Sequence, residues 1–137
     1  MFSNWDIFLN YKNFTINQEI KNKLDLYYQI LIQENQKYNL TRITELNEVF
    51  EKHFLDSLLF VEQFQIIDQK IADIGTGAGF PGIVLKIFFP NIKLTLIESN
   101  NKKANFLKYL VQKLELNNVE ILNKRAEELN EYKEHLI

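Results

Sequence analysis

At 137 residues with 46% hydrophobic content, the chain has room for one globular domain and one core. A net charge of −2 gives no overall basic field to draw it to nucleic acid, and the absence of cysteine excludes disulfides, thiolate metal sites and a thiol nucleophile. No apolar run approaches membrane-spanning length, and Met1 to Lys12 lacks the basic-then-apolar order of a signal peptide, so a cytoplasmic protein without membrane contact is expected.

The first half of the chain carries helical periodicity. Met1 to Tyr11 reads as a short helix with Trp5, Phe8 and Leu9 on its apolar face. Thr15 and Gln18 match a capping box, with Thr15 as N-cap. The helix that follows is expected to run to Tyr38, with Ile20, Leu24, Tyr27, Leu31 and Asn35 on one stripe. A turn at Asn39-Leu40-Thr41 leads to a further helix over Glu45 to Gln63, with Leu46, Val49, Phe50, Phe54, Leu58 and Val61 facing inward.

Near Gln65 the period changes. Short apolar strands then alternate with helices: strand 70–74, helix 81–89, strand 93–97, helix 101–115 and strand 119–122. That alternation predicts an α/β unit with a parallel sheet in the order 3-2-1. The expected organisation is an N-terminal helical cap over residues 1–66 and a partial Rossmann-like domain over 67–137. A doubly wound sheet has further strands beyond its first one, so the three strands correspond to its first half.

All four glycines fall in Asp73-Ile74-Gly75-Thr76-Gly77-Ala78-Gly79-Phe80-Pro81-Gly82, between the first strand and its helix, with Pro81 expected in the first turn of that helix. Three glycines at alternate positions and a fourth soon after are more than a tight turn requires. They allow positive φ and close approach of a ligand to bare backbone. Gly77-x-Gly79-x-x-Gly82 matches the dinucleotide fingerprint. Read from the strand end, Asp73-x-Gly75-x-Gly77-x-Gly79 resembles motif I of S-adenosylmethionine (SAM) methyltransferases. A carboxylate at Asp73 suits a ligand carrying an ammonium and a sulfonium, and would repel a pyrophosphate. Glu98 ends the second strand, where an acid about 20 residues beyond the loop accepts hydrogen bonds from ribose hydroxyls; that position serves SAM and NAD alike.

Other polar residues admit two readings each. His53 and Asp56, three apart on a helix face, form either a substrate contact at the junction of cap and sheet or a local polar network. Asn39 is a turn residue or a base contact. Arg125 meets phosphate or pairs with Glu128. Lys102, Lys103, Lys108 and Lys124-Arg125 are local basic clusters of the kind that solvated helix surfaces carry. The two histidines, His53 and His135, have no neighbours with metal-ligand spacing, so no metal is expected.

Lys37-Tyr38-Asn39-Leu40-Thr41, His53-x-x-Asp56-Ser57, the Asp73-to-Gly82 stretch, Leu96-Ile97-Glu98-Ser99, Lys102-Lys103-x-x-Phe106-Leu107 and Arg125-x-Glu127-Glu128 together closely resemble the small-subunit ribosomal RNA methyltransferase G family. The resemblance covers essentially the whole chain. It implies a class I methyltransferase fold, SAM as cofactor, and methylation of a guanine N7 in 16S ribosomal RNA or a small-subunit assembly intermediate by a monomeric parent protein. By the family's pattern, SAM contacts fall on Gly75, Phe80 and the pair Ala126-Glu127, and Glu98 holds the ribose. Ala126 stands where many members have valine. The family continues with a Ser-Arg-Ala segment and further strands. The 137-residue span alone is therefore expected to be marginally stable, to self-associate through an open strand edge, and to transfer no methyl group. An inactive cofactor- or RNA-binding remnant and a nicotinamide oxidoreductase are the competing readings.

Overall fold

The computed structural model describes residues 2–8, 15–59 and 63–128. The chain opens with a 3-10 turn at Trp5–Phe8, whose Phe8 is buried; Leu9, expected beside it, lies outside the described residues. Helix α1 spans Gln18–Tyr38. Its N-cap is Asn17, not Thr15: the Asn17 side chain accepts the N–H of Ile20, and Gln18 donates to Asn22 instead of reaching back to a cap. Asparagine accepts a free helix N–H as well as threonine does, and the start at Asn17 shifts the helix two residues on from the expected cap. The helix ends at Asn39, in the left-handed region at φ 51°, with its N–H on the carbonyl of Asn35. The buried stripe is Ile20, Leu24, Tyr27, Ile30, Leu31 and Glu34; Asn35 stands beside it, its side chain accepting the N–H of Thr41.

The helix expected over Glu45 to Gln63 is a continuous but uneven run. It begins as α2, Leu46–Glu48, widens into a π-helix over Val49–Leu55, and tightens again as α3, Asp56–Leu58. Val49, Phe50, Phe54, Ser57 and Leu58 are buried; Val61 lies outside the described residues. π-Helical turns inside helices are uncommon and recur near functional sites. Here the turn carries His53.

The second half forms the expected alternation. Strand β1, Lys70–Ile74, precedes α4, Gly82–Phe88; strand β2, Lys93–Ile97, precedes α5, Asn101–Lys113; strand β3 is Val119–Leu122, followed by a 3-10 turn at Ala126–Glu128. The strands are parallel in the order β1-β2-β3, with Ile71 opposite Leu94 and Leu96 opposite Ile121. Among the described residues β1 is paired on one side only, by β2. Pro81 sits at the N-cap of α4 and not in its first turn. Asn100 caps α5 by accepting the N–H of Lys103.

One core joins cap and sheet. Phe2, Phe8, Leu24, Tyr27 and Phe50 belong to the same cluster of buried side chains as Ile83, Leu96, Phe106 and Leu110. α1 packs on α4 and α5, and α3 packs on α4. Lys23 ties the cap to the second half by donating to the carbonyl of Leu114, and buried Lys86 closes the turn after α4 by donating to those of Pro90 and Ile92, each at 2.6 Å. Desolvation lowers the pKa of Lys86, and the two carbonyls are what hold its charge. Among the described residues no helix is long and apolar enough to cross a membrane.

Candidate functional site

The site forms where β1 and β2 end. A parallel strand leaves its last carbonyl and N–H groups at its C-terminal edge, and here the loops complete the ladder. Gly75 donates to the carbonyl of Ile97 at 2.8 Å, and Glu98 donates its N–H to the carbonyl of Leu122 at 3.0 Å. The loop therefore starts from a fixed point.

The four glycines divide into two pairs with different physical reasons. Gly75 and Gly77 have φ of +69° and +56°, and a β-carbon built on either meets nothing within 4 Å. Gly79 and Gly82 are hemmed in. A β-carbon on Gly79 lands 2.6 Å from the Tyr27 hydroxyl and 2.8 Å from Ile83, and one on Gly82 lands 2.8 Å from both Asp73 Oδ2 and Leu96. The first pair keeps space open; the second lets α4 and the cap close on the sheet.

Two acids hold the loop from opposite ends. Asp73 is 2% exposed and accepts the N–H of Gly82 at 3.0 Å. Burial pushes its carboxyl up to about 6, against the pull of the Thr76 hydroxyl and the Gly82 N–H and with help from the nearby Glu98 charge. The Thr76 hydroxyl is close enough to act on Asp73, yet its orientation completes no hydrogen bond. Glu98, 7% exposed, accepts Gly77 N–H on Oε1 and Asn100 N–H on Oε2, both at 2.9 Å. Both acids are thus braces of the loop as well as charges beside it.

A cleft of about 390 Å³ opens at this edge, lined by Ile74, Gly75, Ile97, Ser99, Lys124, Arg125 and Glu127. Of the residues singled out from sequence, Gly75, Arg125 and Glu127 are brought together on its wall. Asp73, Gly77 and Glu98 are not among the lining residues; they adjoin the cleft through the loop that the two acids brace. Arg125, first read as a contact for phosphate or for Glu128, shares the cleft with the expected cofactor residues. Ala126 lies in the 3-10 turn between the two wall residues Arg125 and Glu127. In the sequence Ile74, Ile97 and Ser99 read only as members of strand ends and motifs, and Lys124 only as part of a basic cluster with Arg125; none stands out there as a site residue, although each neighbours one that does.

Phe80 faces the cap instead. Its ring stacks on His53 at 4.4 Å and on Tyr27 at 5.5 Å, each with an interplanar angle of 12°. Nε2 of His53 is 2.8 Å from the Thr41 hydroxyl, which also accepts the N–H of Ile43. Burial lowers the pKa of His53, opposed by the charge of Asp56. Asp56 itself is exposed, as is Asn39. Of the candidate substrate contacts, then, His53 joins the glycine loop through Phe80, while Asn39 shapes the turn that delivers Thr41.

Tyr27 was legible only as one more apolar residue of the α1 stripe. It is fully buried, and its hydroxyl donates to the carbonyl of Ala78 at 2.6 Å. Burial, and the Asp73 carboxylate, hold its pKa well above the ordinary phenol value.

A family model described as "GidB: rRNA small subunit methyltransferase G" matches residues 20–137. The ribosomal RNA small subunit methyltransferase G of Mycoplasma capricolum is 96% identical over 134 residues, which is 98% of this chain and 58% of that protein. The protein of the same name from Mesoplasma florum is 60% identical over 129 residues, 94% of this chain and 54% of that one. The chain thus spans little more than half the length of these relatives. Among solved structures, coclaurine N-methyltransferase bound to N-methylheliamine and SAH superposes with a TM-score of 0.52 at 17% identity, over 88% of this chain and 42% of that one. At that identity the likeness is one of fold.

Proposed function

The chain belongs to the rRNA small subunit methyltransferase G family, and on that premise we propose that it forms the SAM-binding part of an enzyme that methylates N7 of a guanine in 16S ribosomal RNA. The observation that carries the reading is the pair Gly75 and Gly77, held at positive φ with open space where side chains would stand, beside the cleft at the ends of β1 and β2. A residue with a β-carbon would fill that cradle.

The same geometry disfavours a dinucleotide. A pyrophosphate needs the free N–H groups at the start of the helix after the loop. Here the Gly82 N–H is taken by Asp73, whose carboxyl also turns that region negative when ionised. Gly79 and Gly82, two of the three glycines in the dinucleotide pattern, are closed by Tyr27, Ile83, Asp73 and Leu96.

SAM, held at the cleft by Gly75 and Glu98, would supply a methyl group on a positively charged sulfur, open to in-line displacement by a lone pair with a neutral thioether as leaving group. Guanine N7 presents a lone pair and no proton, so the chain needs no general base. What its residues supply is placement and charge. Gly75 offers bare backbone to the cofactor. Glu98, besides bracing Gly77, is the acid that receives ribose hydroxyls. Glu127 lines the same cleft and is assigned the cationic part of the cofactor, and Lys124 and Arg125 add positive charge to that lining, suited to RNA. His53 and Thr41, stacked and bonded at the junction of cap and loop, are assigned to the approach of the base; Asn39 and Asp56 are exposed and free to add contacts there.

Calorimetric titration with SAM, SAH and NADH tests the cofactor, and tritiated methyl transfer into small-subunit RNA tests the activity, with the longer Mycoplasma capricolum protein as control. The expected result is SAM and SAH binding without NADH binding, and transfer by the longer protein. NADH binding in place of SAM would make the oxidoreductase reading correct. SAM binding by the longer protein alone would place essential contacts outside this span.

A further inference from the structure

Between the open glycine Gly77 and the closed glycine Gly79 lies Ala78, and its carbonyl is held by a side chain from the cap. We propose that Tyr27 is a positioning residue for the glycine loop: it fixes the Ala78 peptide, and through it the left-handed backbone of Gly77 and Gly79. This rests on the reading of that loop as the SAM cradle.

Four observations meet at this phenol. Its hydroxyl donates to the Ala78 carbonyl at 2.6 Å, across 51 residues of sequence. The residue has no exposure to solvent, so no water replaces the bond if it is lost. Its oxygen, together with Ile83, occupies the place a Gly79 side chain would need, so the tyrosine packs directly against the bare backbone of that glycine. Its ring stacks on Phe80, the residue after that glycine. A loop with three positive-φ glycines has little intrinsic preference for one shape. Glu98 fixes it at Gly77 from the sheet side, and Tyr27 fixes it at Ala78 from the cap side. The cap therefore takes part in shaping the cofactor site without lining it.

The test compares Tyr27→Phe with Leu31→Val, a second buried position of the same helix that makes no such bond. The four glycine amides occupy their own region of a proton–nitrogen correlation spectrum, so the loop is read without any ligand. Tyr27→Phe is expected to move the Gly77 and Gly79 signals and to weaken SAM binding about tenfold, in line with one lost buried hydrogen bond. Leu31→Val is expected to lower the melting temperature while leaving both readouts as in the parent chain. Glycine signals unmoved in Tyr27→Phe, or affinity changed no more than in Leu31→Val, would overturn the proposal. Should the Phe variant not fold, the hydroxyl proton of Tyr27 in the parent chain decides: slow exchange and a cross-relaxation signal to the Ala78 region support the bond, and their absence refutes it. Glycine signals that respond to Tyr27→Phe, with no SAM bound by this chain or by the longer Mycoplasma capricolum protein, would refute the cofactor reading and leave the positioning role standing.

Discussion

Glu98 accepts the backbone N–H of Gly77 from across the sheet edge, and its other oxygen accepts the N–H of Asn100 at the cap of α5. One carboxylate thus ties the loop after β1 to the helix after β2. Glutamine has a single acceptor oxygen, and its amide NH2 would face a backbone donor. Glu98→Gln is therefore expected to leave one N–H without a partner, costing on the order of 1–3 kcal/mol, and to weaken SAM binding at least tenfold. Thermal melts and titration measure the two effects. Parent-like affinity in this variant would mean that the carboxylate serves the loop's stability and contributes nothing to the ligand.

The two glycine pairs should separate binding from folding. Gly82→Ala puts a methyl 2.8 Å from Asp73 Oδ2 and from Leu96 in the packed seam between α4 and the sheet. Overpacking of this kind costs roughly 1–3 kcal/mol, read as a lower melting temperature. Gly77→Val meets open space and only the strain of a β-branched residue at φ +56°. It is expected to fold and to lose SAM. A Gly77→Val chain that keeps its affinity would make the loop a turn and nothing more.

Much of this was legible because the signals were local. Strands β1, β2 and β3 begin and end where alternation and the glycine stretch put them, and parallel order follows from crossover handedness. The helix starts were less legible: Thr15 and Gln18 match a capping box, yet Asn17 caps α1 by accepting the N–H of Ile20. The π-helical turn at Val49–Leu55 leaves no periodicity a helical stripe would reveal, since Val49, Phe50, Phe54 and Leu58 fit an ordinary helix as well. The roles of Gly79 and Gly82 needed the third dimension. A glycine that faces a ligand and one that faces a tyrosine hydroxyl look alike in sequence, and Tyr27 is 51 residues from the carbonyl it holds.

Asp73 makes stability depend on pH in a defined direction. Its carboxyl titrates near 3.8 when unfolded and about 6 in the fold. Between those values the folded chain keeps a proton that the unfolded chain has released, so this contribution is full below about pH 4 and is lost as pH rises through 6. The loss is at most on the order of 3 kcal/mol. His53 acts in the opposite sense. Its lowered pKa makes its contribution full above the ordinary histidine value and lost as pH falls through the folded one. Asp73→Asn keeps an acceptor for the Gly82 N–H and removes the charge. The variant is expected to match the parent near pH 4 and to melt higher than it at pH 7. Equal pH profiles would place the Asp73 carboxyl in the ordinary range.

The same carboxyl should couple to the cofactor. SAM carries positive charge on sulfur and on its ammonium, and a cation in the cleft beside Gly75 favours the ionised form of a buried acid at the end of the same strand. Asp73 does not touch the cleft, so the coupling acts through the field and not through a hydrogen bond. Near pH 6, where the free protein is about half protonated at this group, binding is expected to release a fraction of a proton; at pH 8 it should release none. Titrations at pH 6 in buffers of different ionisation enthalpy measure the release directly. Asp73→Asn should abolish it and bind SAM more weakly at pH 8, where the parent's charge is complete. SAH lacks the sulfonium charge and should release less than SAM. Equal proton release on SAM binding by the parent and by the Asp73→Asn variant would assign the titration to another group, His53 being the first to examine.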